Sequence, residues 1–146
     1  MKSEINFFKE NVSFVFRKKD VLRNWILNAI EREGKNCGDL NFIFCDDEYL
    51  AELNYKYLNH KTLTDILTFS FDDEHGSLCG DIFISWPRVL ENAGTFNQKP
   101  ADELHRVIIH GVLHLIGYDD TNKKLKTIMT EKENFYLALL NSKGSL

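Results

Sequence analysis

No stretch of this sequence approaches the roughly 20 consecutive apolar residues needed to cross a bilayer, which excludes a membrane-spanning role on length. Cysteine is scarce: Cys37, Cys45 and Cys79 are an odd number with no CxxC pair, and the start of the chain lacks a basic, apolar, small-residue leader pattern. Both absences point to a reducing cytoplasm, with the cysteines acting as small hydrophobes. Only two prolines and eight glycines punctuate the chain, and no low-complexity run or internal repeat is present. Nor is there a basic excess, since 18 basic residues face 22 acidic ones for a formal charge of -4. Any contact with nucleic acid must therefore come from a local patch. What remains is 146 residues with 43% hydrophobic content, enough for one domain spanning residues 1–146.

Hydrophobic spacing sets out the elements. Val12 to Phe16 has the β-branched and aromatic content of a strand, and Ile5 to Phe8 is a weaker candidate for another. Leu22, Trp25, Ile26, Ala29 and Ile30 follow helical spacing, and Gly34 is placed to end that helix. Leu40 to Cys45 reads as a short strand, after which Asp46 can cap a helix carrying Leu50, Leu53, Tyr57 and Leu58 on one face. Asp65 to Phe71 and Asp81 to Trp86 both alternate, one face fully apolar and the other mixed, as in neighbouring antiparallel strands beside a cleft. A short helix is expected after Pro87, a longer one from Pro100 with Asp102 and Glu103 in its first turn, and a last one from about Thr121 to Asn141. Helices interspersed with strands predict an α+β domain, a small mixed sheet packed with about five helices.

The run HGVLHLIGYDD, His110 to Asp120, carries the chemistry. At about 100° per residue, Glu103, Arg106, His110, His114 and Gly117 share one narrow arc of an otherwise apolar, hence buried, helix. Histidines at i and i+4 point the same way one turn apart, which lets two imidazoles reach one ion. Gly117 can adopt a left-handed conformation and turn the chain back, so that Asp120 faces the histidines. The order His, His, Gly, ligand has the spacing of the metzincin pattern, with Gly111 in place of the glutamate and Asp120 in place of the last histidine. Asp119 is the alternative ligand, or an acceptor for a liganding imidazole. His60, His75 and His105 each stand alone and are expected to be solvated.

Three protein ligands leave a position for water or substrate, the mark of a catalytic site, and zinc suits this donor set best. Gly111 removes the general base of the zinc peptidases. Glu103 and Arg106, on the histidine stripe, are candidates for a base and an anion contact, or they form a buried ion pair with each other. Phosphodiester cleavage needs the missing glutamate least.

These motifs resemble the YbeY family of bacterial single-strand-specific endoribonucleases, which act on ribosomal RNA and mature the 3′ end of the small-subunit RNA. HGVLHLIGYDD is the strongest element, supported by LNYKYLNHKTLTDILTFSF at Leu53 to Phe71 and GDIFIS at Gly80 to Ser85. The resemblance implies a small mixed sheet with the metal in a cleft beside it, zinc on His110 and His114, and Asp120 where the family has a third histidine. It implies single-stranded RNA, ribosomal RNA and the small ribosomal subunit as partners, without DNA. Asp65, Thr68, Asp81 and Ser85 are candidates to line the cleft. Leu58 stands where many members carry an RNA-contacting arginine, and Leu63 and Ser70 replace family prolines. Lys56, Lys61, Arg88 and Arg106 remain as candidate phosphate contacts. Two other readings compete: a metal-dependent hydrolase of a peptide or amide, and a ribosome assembly factor with a structural metal.

Overall fold

The computed structural model describes residues 4–14, 16–58, 65–72 and 76–142, the side chains of residues 58 and 72 excepted. His60, Lys61, Leu63 and His75 lie outside the described residues, as does the side chain of Leu58. In chain order the elements are β1 (Glu4–Glu10), α1 (Lys19–Arg32), β2 (Cys37–Cys45), α2 (Asp47–Leu58), β3 (Ile66–Asp72), β4 (Leu78–Ser85), α3 (Trp86–Thr95), α4 (Pro100–Ile116) and α5 (Lys123–Ser142). The α+β expectation of a mixed sheet with five helices holds. Asp46 caps α2 by accepting the Tyr49 N–H at 2.8 Å, and Pro100 opens α4 as its first residue.

The strands form one sheet in the order β1-β2-β4-β3, with β1, β2 and β4 parallel and β3 antiparallel to β4. The register sets Ile66 opposite Ile84 and Thr68 opposite Ile82. Those residues therefore share a face with Leu40, Phe42 and Phe44, and the core forms between that face and α1, α4 and α5. Leu67, Phe69 and Phe83 point the other way, where Tyr49, Leu50 and Leu53 of α2 cover them. The fully apolar faces of β3 and β4 thus lie on opposite sides of the sheet. Helices on both sides accommodate this, as expected for strands carrying parallel pairings.

The expected strand at Val12 to Phe16 does not form: its described residues lie outside the ladder, and Ile5 to Phe8, the weaker candidate, belongs to β1 instead. Positive φ angles at Asn11 (61°) and Lys18 (56°) turn the segment off the sheet at both ends. Its aromatics pack rather than pair, with Phe16 4.6 Å from Phe7 and Phe14 4.2 Å from Trp86, ring centroid to ring centroid. Aromatic content therefore encoded a lid over the sheet face rather than a ladder.

Helix α4 lies closely on the sheet because residue 111 is glycine. A Cβ there would stand 2.8 Å from Ile66 Cδ1 and 3.0 Å from Ile82 Cγ2. The contact brings the histidine stripe beside β3, which is an edge strand. No described helix is long and apolar enough to cross a membrane.

Candidate metal centre

Most of α4 is core: Leu104, Val107, Ile108, Ile109, Val112 and Leu113 are buried. His110 and His114 stand on its remaining stripe, half-buried, with ring planes at 85° and centroids 4.4 Å apart. Gly117 ends the helix at φ 128°, its N–H donating to the carbonyls of Leu113 and His114, and Tyr118 N–H also donates to Leu113. Side chains rarely adopt that φ, so glycine is needed there for the chain to fold back. The return brings Asp120 over the histidines.

The three donors converge. Nε2 of His110 and Nε2 of His114 lie 3.0 Å apart, and Oδ2 of Asp120 is 3.5 Å from the first and 3.6 Å from the second. A tetrahedral ion with ligands at roughly 2.0–2.1 Å holds them about 3.3 Å apart, a value the three separations straddle. Two imidazole nitrogens facing a carboxylate oxygen are also the chemistry such an ion takes. Among the described residues, His110, His114 and Asp120 form a group able to hold a metal ion. Asp119 is occupied by its own turn, accepting from Asp120 N at 2.7 Å and from the Thr121 hydroxyl at 3.2 Å.

The cleft beside these donors encloses about 380 Å³, with Asp65, Ile66, Leu67 and Thr68 of the β3 edge forming its far wall. Asp65 and Thr68 are thus where the sequence put them. Asp81 is not, since it sits on the α2 side of the sheet and accepts from Asn41 Nδ2 at 3.0 Å. Ser85 is buried, capping α3 through Arg88 N and donating to Asp47 Oδ1 at 2.6 Å. Arg88 is engaged by Asp47 at 3.3 Å and Glu91 at 3.9 Å, away from the cleft.

Glu103 and Arg106 are not paired with each other by hydrogen bond or ion pair. Glu103 is buried against a separate depression, where burial first, and then the charges of Asp65 and Glu133, hold its carboxyl above the ordinary value despite Arg106. Arg106 reaches α5 instead, with Nη1 on Glu133 Oε1 and Nη2 on Asn134 Oδ1, both at 2.8 Å. His105, expected in solvent, is half-buried edge-on to Trp25, and burial pushes it down against the charge of Asp102.

Glu133 escaped the sequence reading. Its Oε2 lies 2.6 Å from His110 Nδ1 while Oε1 takes Arg106. The signal was available: Met129, Glu133, Tyr136 and Leu140 are the buried stripe of α5, so a carboxylate occupies a core position of an amphipathic helix. Burial lowers the affinity of His110 for a proton, but the hydrogen bond and charge of Glu133, with the charges of Asp120 and Asp65, outweigh it and raise its pKa. A second carboxylate, Glu33 at the end of α1, accepts from the Tyr118 hydroxyl at 2.5 Å, from the Tyr136 hydroxyl and from Lys132 Nζ at 3.1 Å. It ties the turn that carries Asp120 to α1 and α5.

The cysteines are core groups. Cys37 and Cys45 are buried and Cys79 half-buried, and burial, aided by the charges of Asp46, Asp47 and Glu10, pushes the Cys45 thiol up to about 12. That is the direction of an inert thiol.

Comparison with known proteins gives a consistent result. Residues 4–141 match the family described as Endoribonuclease YbeY. The endoribonuclease YbeY of Christiangramia forsetii is 50% identical over 141 residues, 96% of each chain, and that of Cytophaga hutchinsonii is 44% identical over 140 residues, 95% of this chain and 98% of the other. A Thermotoga maritima protein solved in solution superposes with a TM-score of 0.65 at 28% identity, covering 97% of this chain and 91% of that one.

Proposed function

The chain belongs to the endoribonuclease YbeY family, a hydrolase acting on RNA, and on that premise we propose that His110, His114 and Asp120 hold one divalent ion at which single-stranded ribosomal RNA is cut. The observation that carries this reading is the convergence of two Nε2 atoms and one Oδ2 on a single point at the mouth of the β3 cleft. Zinc is the ion the donor set suits best, and the aspartate makes the site more negative than three histidines would. A zinc ion held this way supplies Lewis-acid polarisation of a phosphoryl oxygen and a more acidic water.

The chain's own groups do the rest. Thr68, lining the cleft, offers a hydroxyl to a non-bridging phosphate oxygen, and Asp65, lining the same cleft, accepts a proton from the attacking water. Glu103, the base candidate from the sequence, lines another depression and serves less well. Arg88 and Arg106 are committed to Asp47, Glu91 and Glu133, so a bound ion would have to offset most of the phosphate charge. A Cβ at residue 111 would press on Ile66 and Ile82, so the position that carries the peptidase glutamate serves packing here, which supports RNA over a peptide substrate. A cleft of about 380 Å³ beside an edge strand suits a single strand better than a duplex. We assign the chain one domain over residues 1–146, a cytoplasmic setting and the small ribosomal subunit as its RNA context.

Zinc-loaded protein incubated with single-stranded RNA, duplex RNA and a peptide library tests this. Single-stranded RNA alone is cleaved, and His114→Ala abolishes the cleavage. Cleavage that survives the substitution contradicts the site.

A further inference from the structure

We infer that Glu133, a buried carboxylate on α5, is a positioning residue that fixes the tautomer of His110, with Arg106 as its anchor; this rests on the reading of His110, His114 and Asp120 as ligands. Oε2 of Glu133 lies 2.6 Å from His110 Nδ1, and a carboxylate only accepts, so Nδ1 carries the proton. The other ring nitrogen, Nε2, then keeps its lone pair for the space it shares with His114 Nε2 and Asp120 Oδ2, 3.0 and 3.5 Å away. Without the bond, either nitrogen can take the proton, and the tautomer protonated at Nε2 cannot ligate.

Arg106 makes the arrangement directional. Its guanidinium, always charged, takes Oε1 at 2.8 Å, which leaves Oε2 to the imidazole, and Asn134 holds its other arm at 2.8 Å. Residues 106, 110 and 133 thus form one relay from the outer end of α4, through α5, back to the ligand stripe. An ordinary structural ion pair would need only Arg106 and Glu133. The shorter of the two Glu133 contacts goes to the histidine.

Glu133→Gln separates the two roles because an amide has one acceptor where the carboxylate has two. Arg106 cannot accept, so it claims the amide oxygen, and the amide NH₂ is left against His110 Nδ1, which must become the acceptor. The tautomer reverses. Removing the claimant as well, in Arg106→Met/Glu133→Gln, frees the amide oxygen for Nδ1–H and restores the original tautomer. A merely structural role predicts the opposite, since the double variant loses more packing than the single one.

The test measures imidazole ¹⁵N shifts of the ion-free protein and zinc affinity by chelator competition, in wild type, Glu133→Gln, the double variant and His114→Ala. The expected result is Nδ1–H at His110 in wild type, loss of that tautomer with about 10- to 100-fold weaker zinc binding in Glu133→Gln, and recovery of both in the double variant. If either the tautomer or the affinity of Glu133→Gln is that of wild type while His114→Ala loses zinc, the inference is overturned alone. A double variant no better than the single one also overturns it. Wild-type zinc affinity in His114→Ala contradicts the ligand reading, and the inference falls with it.

Discussion

Glu133 and Glu33 are two carboxylates of nearly equal burial, with side chains 8% and 9% exposed, and each ties α5 to another helix. Their partners differ. Glu33 meets Tyr118, Tyr136 and Lys132, side chains whose polar ends terminate at the carboxylate, so it can only anchor. Glu133 meets Arg106 on one oxygen and His110 on the other, and His110 has a second nitrogen that faces the cleft. Burial and pairing are thus shared by a strut and a working group, and only the partner's free face distinguishes them.

The largest expected effect comes from breaking the working side. His110→Ala should abolish stoichiometric zinc binding and single-strand RNA cleavage, measured by metal analysis and a cleavage assay, while Glu33→Gln leaves zinc affinity within about 3-fold of wild type. Stability should sort the pair the other way. Glu33→Gln leaves three donors to share a weaker acceptor and should cost about 1–3 kcal/mol, read from urea unfolding of the ion-free protein. Gly117→Ala, which strains the turn between the two carboxylate clusters at φ 128°, should cost about 1–2 kcal/mol and weaken zinc binding through Asp120.

The smallest effect is in pH. Burial pushes Glu33 up, but the hydroxyls of Tyr118 and Tyr136 and then Lys132 outweigh it, so its carboxyl is held below its ordinary 4.5. A depressed carboxylate pKa adds stability that is fully present above the unfolded value and is lost as pH falls through the folded one. The Tm difference between wild type and Glu33→Gln should therefore be full near neutrality and shrink as the pH falls below 4.5 and through the depressed folded value. A difference that stays constant on acidification would mean that packing, not the charge, makes Glu33 a strut.

Local rules made much of this visible from sequence. His110, His114, Gly117 and Asp120 announce themselves because helix periodicity and a left-handed glycine are properties of neighbouring residues. Thr68 followed from strand alternation and family likeness, and Asp65 from the likeness alone. Glu133 did not, because its role depends on how α5 docks against α4, and two helices joined by a turn can meet in several rotations. The same limit misplaced Asp81: alternation puts it on a mixed face, but only the register with β2 and β3 shows that this face looks toward α2. Val12 to Phe16 failed for a related reason, since aromatic content does not distinguish pairing from packing.

The convergence of His110, His114 and Asp120 on one ion is tested most directly by an anomalous-scattering map, recorded at the zinc edge on crystals of the zinc-loaded protein. One peak is expected, at about 2.0–2.2 Å from Nε2 of His110, Nε2 of His114 and a carboxylate oxygen of Asp120. A peak ligated by Asp119, or one away from the two histidines, would contradict it.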